Sequence, residues 1–214
     1  PSKAIIQNIE IGANISLNTS VDSFISGLYF YNATPFNVMK NSFRTPVGVE
    51  ATLSDYVVKA YNKRTQLLTR IDIGNECLRY ELHFNKMRKV NACGIYSLAD
   101  LLEYPNIYKL AELLCDSLEG LIHYNSEYES QCNTRNEKHL LNDWSNPKKI
   151  KQLSKEQPQK YRRQRRLFKR LSQRNKALVL PTVQRLIKRK AKNLLTIDKT
   201  TIKQVNYFKS MTMK

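Results

Sequence analysis

Eight side chains are spaced for chemistry on a phosphate: Glu10 and Asn14, then Lys59, Tyr61 and Lys63, then Arg79, Glu81 and His83. Within each group the residues stand two or four apart, so in a strand each group points to one side of a sheet. Neighbouring strands would gather all of them on one surface. Glu81, Glu10 and Asn14 supply two carboxylates and an amide, hard oxygen donors suited to a divalent cation such as Mg²⁺ or Mn²⁺. Such a cation polarises a phosphodiester, while Arg79, Lys59 and Lys63 offset charge growing on the phosphoryl oxygens. Tyr61 is then the candidate nucleophile. An unperturbed phenol has a pKa of about 10 and needs the cation or the lysines to favour phenolate. The same residues also suit an ordinary solvated sheet face, on which Arg and Glu pair across strands and His83 is a surface histidine. The sequence holds no His-apolar-His pattern, so a histidine-ligated nicking centre is not expected in it.

The elements that must position this set are read from periodicity. Ile9–Leu17, Tyr56–Lys63 and Leu78–Phe84 alternate apolar and polar residues with period two, as strands with one buried face do. Such strands belong to an antiparallel sheet. Val21–Tyr31 carries Phe24, Ile25 and Leu28 at helical spacing and is expected to be a short helix. Ser97 with Asp100 resembles a helix start. Beyond Pro105 a longer helix is expected to run through Ile107, Leu110, Leu114, Leu118, Leu121 and Ile122, its apolar stripe covering the buried face of the sheet. Asn125–Asn136 is polar and reads as a loop. Two basic helices follow. Gln159–Arg174 shows a thin apolar face of Tyr161, Phe168 and Leu171. A second helix, capped by Thr182, turns Val183, Leu186, Ile187, Ala191 and Leu194 inward.

Charge is distributed unevenly. The chain has 36 Lys and Arg against 18 Asp and Glu, a net charge of +18. Residues 145–214 hold 22 of the bases and two acids, Glu156 and Asp198, leaving the first 144 residues near neutrality. This asymmetry points to a polyanionic partner, nucleic acid before membrane. The apolar residues of the basic region are too few and too evenly spaced for an insertion face, and no run of 18 apolar residues exists. The candidate phosphate contacts are Arg162, Arg163, Arg166, Lys169, Arg170, Arg185, Lys188, Arg189 and Lys192. The helices flanking Asn175–Pro181 suggest a weak likeness to a helix-turn-helix reader. Cys77, Cys93, Cys115 and Cys132 form no metal-ligand spacing and read as reduced thiols of a cytoplasmic protein. A chain that opens at Pro1 is expected to be a trimmed chain or a fragment.

Taken in order, Ile-Glu-Ile-Gly-Ala-Asn (Ile9–Asn14), Val-Lys-Ala-Tyr-Asn-Lys (Val58–Lys63) with Gln66, Leu-Arg-Tyr-Glu-Leu-His-Phe (Leu78–Phe84) and Ser-Leu-Ala-Asp-Leu-Leu (Ser97–Leu102) carry a likeness. The sequence resembles phage and plasmid replication initiators of the rolling-circle, gene II/X-like and replication-initiation-factor families. The resemblance runs roughly from Ile5 to Leu102. It implies a metal-dependent nickase that joins itself to DNA through a phosphotyrosine, with Tyr61 in the nucleophile's strand and Glu81 in the place of a metal-binding acid. The substrate it implies is origin DNA, single-stranded at the nick, in the cytoplasm of a bacterial host.

The expected architecture is α+β: an antiparallel sheet with helices on one face (residues 1–144), then a basic helical DNA-binding region (residues 145–214). The first part is expected to stand folded without the second. Composition alone also admits a non-catalytic DNA-binding regulator or an RNA-binding, ribosome-associated protein. Tyr61 is the one aromatic residue clearly on the open sheet face, which leans against an RNA-reading sheet.

Overall fold

The structure, a computed structural model, describes residues 4–67, 76–174 and 179–193. Its centre is a five-stranded antiparallel sheet built from β1 (Ile9–Ser16), β4 (Asn37–Lys40), β5 (Pro46–Thr52), β6 (Tyr56–Asn62) and β7 (Cys77–Phe84). The strand order is β1-β7-β6-β5-β4. The three strands read from alternation form one half of this sheet. Ala13 and Ile15, Tyr56, Val58 and Ala60, and Leu78, Tyr80, Leu82 and Phe84 all turn into one core. The expected α+β class, with an antiparallel sheet and C-terminal helices, is the class observed.

Helices close the apolar side of this sheet. They are α1 (Val21–Ser26), α4 (Tyr104–Ser117) through Leu110 and Leu114, and α8 (179–193) through Leu180, Val183 and Ile187. Short helices α2 (Lys63–Leu67) and α3 (Arg88–Asn91) follow β6 and β7. A second sheet joins β2 (Leu28–Tyr31), β3 (Thr34–Pro35) and β8 (Leu121–His123), in the order β3-β2-β8. It divides two cores: Leu28, Tyr31 and Leu121 turn to the first, Phe30 and Ile122 to the second. The second core is filled by Leu140, Leu141 and Trp144 of α5 (Arg135–Trp144), Ile150 of α6 (Pro147–Glu156), and Tyr161, Phe168 and Leu171 of α7 (Pro158–Gln173). Trp144 stacks on both Phe168 and Tyr161, with ring centroids 4.7 and 5.8 Å away. Residues on both sides of position 144 therefore share each core.

Several local expectations are corrected. The helix expected over Val21–Tyr31 stops at Ser26, because Gly27 lies against His123 and Tyr124, where any Cβ would meet atoms at 2.5 Å. The aromatic run after it pairs as β2. Leu121 and Ile122 continue the helical spacing of α4 but lie in β8. A 3₁₀ turn at Leu118–Gly120 ends the helix, and Gly120 packs on the Tyr31 ring. Ser97 and Asp100 do meet, but the Asp100 carboxylate accepts from the Tyr96 and Ser97 N–H groups and opens a 3₁₀ turn. The polar stretch Asn125–Asn136 contains a 3₁₀ turn and the start of α5. Thr182 is not a cap: residues 179–181 ahead of it are already helical. Leu194 lies outside the described residues.

Candidate functional site

Register brings the expected polar set together. Across β1 and β7, Glu10 faces His83, Gly12 faces Glu81 and Asn14 faces Arg79. Across β6 and β7, Lys59 faces Glu81 and Tyr61 faces Arg79. The Tyr61 hydroxyl donates to Glu81 Oε2 at 3.0 Å, and Arg79 Nε donates to the same oxygen at 2.5 Å. Lys59 Nζ lies 3.3 Å from Glu81 Oε1 and 3.0 Å from Glu10 Oε1. His83 Nδ1 is 2.6 Å from Glu10 Oε1, and Arg79 Nη1 donates to Asn14 Oδ1 at 3.3 Å. The face is less open than alternation implies, since Glu81 and Tyr61 are both buried. Glycines opposite them allow this. A Cβ at Gly12 would stand 2.8 Å from that of Glu81, and one at Gly48 would stand 2.3 Å from that of Tyr61.

Lys63 departs from the strand face and opens α2, donating to Gln66 at 2.8 Å. Its ammonium still lies 5.8 Å from the Tyr61 ring centroid. Asn62 starts this helix: its side-chain Oδ1 accepts from the N–H groups of Arg64 and Thr65, and its side-chain Nδ2 donates to Asp22 and Glu76. An aspartate there would face two carboxylates instead of binding them.

The electrostatics run against an activated phenol. Burial, then the adjacent Glu81 charge, pushes the Tyr61 pKa up to about 12. Hydrogen bonds from His83 and Lys59 hold Glu10 below the usual carboxylate range. Burial pulls the Lys59 pKa down, but Glu10 and Glu81 together outweigh it and the net shift is upward.

The donors do not fit a divalent cation as arranged. Both Glu81 oxygens, Glu10 Oε1 and Asn14 Oδ1 already accept from Lys59, Arg79, Tyr61 or His83. The Lys59 ammonium occupies the place between the two carboxylates that a metal would take. Among the described residues no three His, Cys, Asp or Glu side chains are grouped to hold a metal. In this structure Glu81, Glu10 and Asn14 are engaged in an ion-paired network. The four cysteines are free.

The basic helices present their charge as stripes. On α7, Arg162, Arg163, Arg166 and Arg170 are exposed at helical spacing, opposite Tyr161, Phe168 and Leu171. On α8, Arg185, Lys188, Arg189 and Lys192 are exposed, opposite Val183, Ile187 and Ala191. Lys169 differs from its neighbours. It is half-buried and binds the Glu119 backbone oxygen, with the Glu119 carboxylate 3.5 Å away, and burial lowers its pKa. Lys188 stands 4.0 Å from that same carboxylate, so Glu119 sits between α7 and α8. Two contacts are hidden in the charge run. Arg165 donates to the Asn32 side chain at 2.6 Å, and Lys190 Nζ donates to the Asn14 backbone oxygen at 2.6 Å. Lys190 thereby fastens α8 to β1, the edge strand of the polar face. Part of the turn named for a helix-turn-helix likeness, residues 175–178, lies outside the described residues.

No protein-family model matches the chain, and no curated protein or solved structure matches it either. No described helix is long and apolar enough to cross a membrane.

Proposed function

We propose that this chain binds DNA during replication initiation, gripping phosphates with the arginine and lysine stripes of α7 and α8. The observation that carries this reading is the pairing of exposed cations at helical spacing with opposite helix faces fixed in the two cores. The helices that carry these stripes are already folded against the cores, so no helix has to form when they meet a polyanion, and each phosphate neutralised releases counterions. The order of motifs shared with replication initiators supports origin DNA as the target. The test is a fluorescence-anisotropy titration of duplex DNA with the full chain and with a variant carrying Arg162→Ala, Arg163→Ala, Arg166→Ala and Arg170→Ala. Equal affinity for the two proteins would remove α7 from the interface.

A second reading, cleavage of one strand by Tyr61, is favoured by the hydrogen bond from its hydroxyl to Glu81. In that reaction the phenol oxygen forms a bond to phosphorus, the bond from phosphorus to the leaving sugar oxygen breaks, and the phenol proton passes to Glu81. Arg79, beside both groups, offsets charge on the phosphoryl oxygens. Water returns a proton to the leaving oxygen. A phenol with a pKa of about 12 reacts slowly at neutral pH, so the rate should climb with pH. Tyr61→Phe should bind DNA as wild type does and form no covalent adduct with a nicked circle. If the wild-type chain, given Mg²⁺ or Mn²⁺, also leaves supercoiled DNA intact, the protein is a non-catalytic DNA-binding regulator.

A further inference from the structure

A hairpin joins β4 to β5 and carries Phe43 at its turn, 80% exposed. A single exposed apolar residue is ordinary on a protein surface. Three further observations set this one apart. First, the turn is held. Asn41 Oδ1 accepts from the N–H groups of Phe43 at 3.0 Å and Thr45 at 2.9 Å, while backbone bonds join Asn41 to Thr45 and to Arg44. Arg44 takes a left-handed φ of 61°, costly for a residue with a Cβ, so the surrounding bonds fix the loop in one shape. Second, Lys40 and Arg44 flank Phe43, are exposed, and their side chains have no partner among the described residues. Third, the turn leaves the sheet at the end that carries Tyr61. Met39 pairs with Gly48, and Gly48 pairs with Tyr61. Phe43 precedes Gly48 by five residues, three of the six in the turn, so the two lie at most roughly 17 Å apart.

We propose that this hairpin is a contact for single-stranded DNA: Phe43 stacks on an unpaired base, and Lys40 and Arg44 hold the phosphates beside it. An aromatic face between two cations is the combination that binds a single strand without reading its sequence. A protein partner would need several apolar anchors, and the hairpin offers the Phe43 ring and, on β4, Val38 alone among its described residues. Duplex DNA presents its bases already stacked, so the ring gains a partner only where the strands are apart. The proposal rests on the DNA-binding reading and assigns the single-stranded portion of that DNA to this end of the sheet.

The experiment uses the full chain with an oligothymidylate and with a duplex of mixed sequence. Phe43→Ala should weaken oligothymidylate binding roughly tenfold, leaving duplex affinity and its salt dependence unchanged. Phe43→Trp should restore binding, and the fluorescence of the introduced indole should be quenched by the oligothymidylate, because the native Trp144 is buried and serves as a silent background. Phe43→Leu should not restore it, since leucine supplies apolar area without a ring. Unchanged oligothymidylate binding in Phe43→Ala, full rescue by leucine, or unquenched fluorescence in Phe43→Trp would each overturn the proposal. Retained duplex binding beside any of these would leave the α7 and α8 interface standing, whereas loss of all DNA binding in the wild-type chain would overturn both.

Discussion

Glu81 illustrates how one residue decides between a working acid and a structural one. It lies on the polar face yet is 2% exposed, and it receives Tyr61, Arg79 and Lys59. Glu81→Gln keeps the shape and removes the charge, leaving two cations facing a neutral amide. Breaking a fully buried pair costs about 3–5 kcal/mol. Lys59 and Arg79 keep partial access to water, so about 2 kcal/mol is expected here, a melting temperature lower by about 4–8 °C. A mutant melting with the wild type would return Glu81 to the role of an outward-pointing ligand. His123 offers a second test. It is buried between Phe24 and Tyr128, and burial pushes its pKa down to about 4 from 6.5. Between these values the unfolded chain binds a proton that the folded chain does not. Its contribution is therefore fully present above about pH 6.5 and is lost as pH falls to 4, about 3 kcal/mol over the window. Denaturant titrations from pH 4 to 7 should show that slope in the wild type and a flatter profile in His123→Phe.

At the scale of elements, α5, α6 and α7 are not an appendage. Trp144 is 1% exposed and stacks on two rings of α7, and the core of the large sheet includes Leu180, Val183 and Ile187 of α8. Cutting the chain at 144 strips partners from both cores, so residues 1–144 should lose cooperative thermal unfolding. Trp144→Ala in the full chain should cost about 3–5 kcal/mol. A sharp, wild-type-like transition in the truncated protein would restore the expectation of an independent sheet domain. The reasons for the sequence's partial legibility lie in these same elements. β1, β6 and β7 are readable because each buries one face and leaves the other polar, so alternation survives. The hairpin β4–β5 is only half readable: Asn37–Lys40 has no alternation, while in β5 Val47, Val49 and Ala51 do alternate with Gly48, Glu50 and Thr52, and Pro46 and Gly48 weaken the strand signal by their low strand preference. Helix α6 has a local signal, Asn146 capping Lys148 and Lys149 ahead of Pro147, but it sits in a basic run that reads as charge alone. The polar cluster is legible as a set of residues. What spacing does not convey is that Lys59 stands between the two acids, or that glycines at 12 and 48 let Tyr61 and Glu81 lie down into the sheet.

For the whole molecule, the decisive feature is where positive charge meets a fixed scaffold. The net charge of +18 does not by itself distinguish a folded binding surface from a charged tail. Helix α7 supports the proposed surface, because its apolar face is locked by Tyr161, Phe168 and Leu171 while four arginines look outward, and Lys190 of α8 reaches the edge of the large sheet. The direct measurement is duplex affinity across salt concentrations for the full chain and for the variant with alanine at 162, 163, 166 and 170, alongside circular dichroism. Each phosphate contact contributes a slope of about −0.9 in log affinity against log salt. The variant should keep its helical spectrum and lose roughly two to four units of that slope. An unchanged slope in a folded variant would contradict the account and move the DNA away from α7.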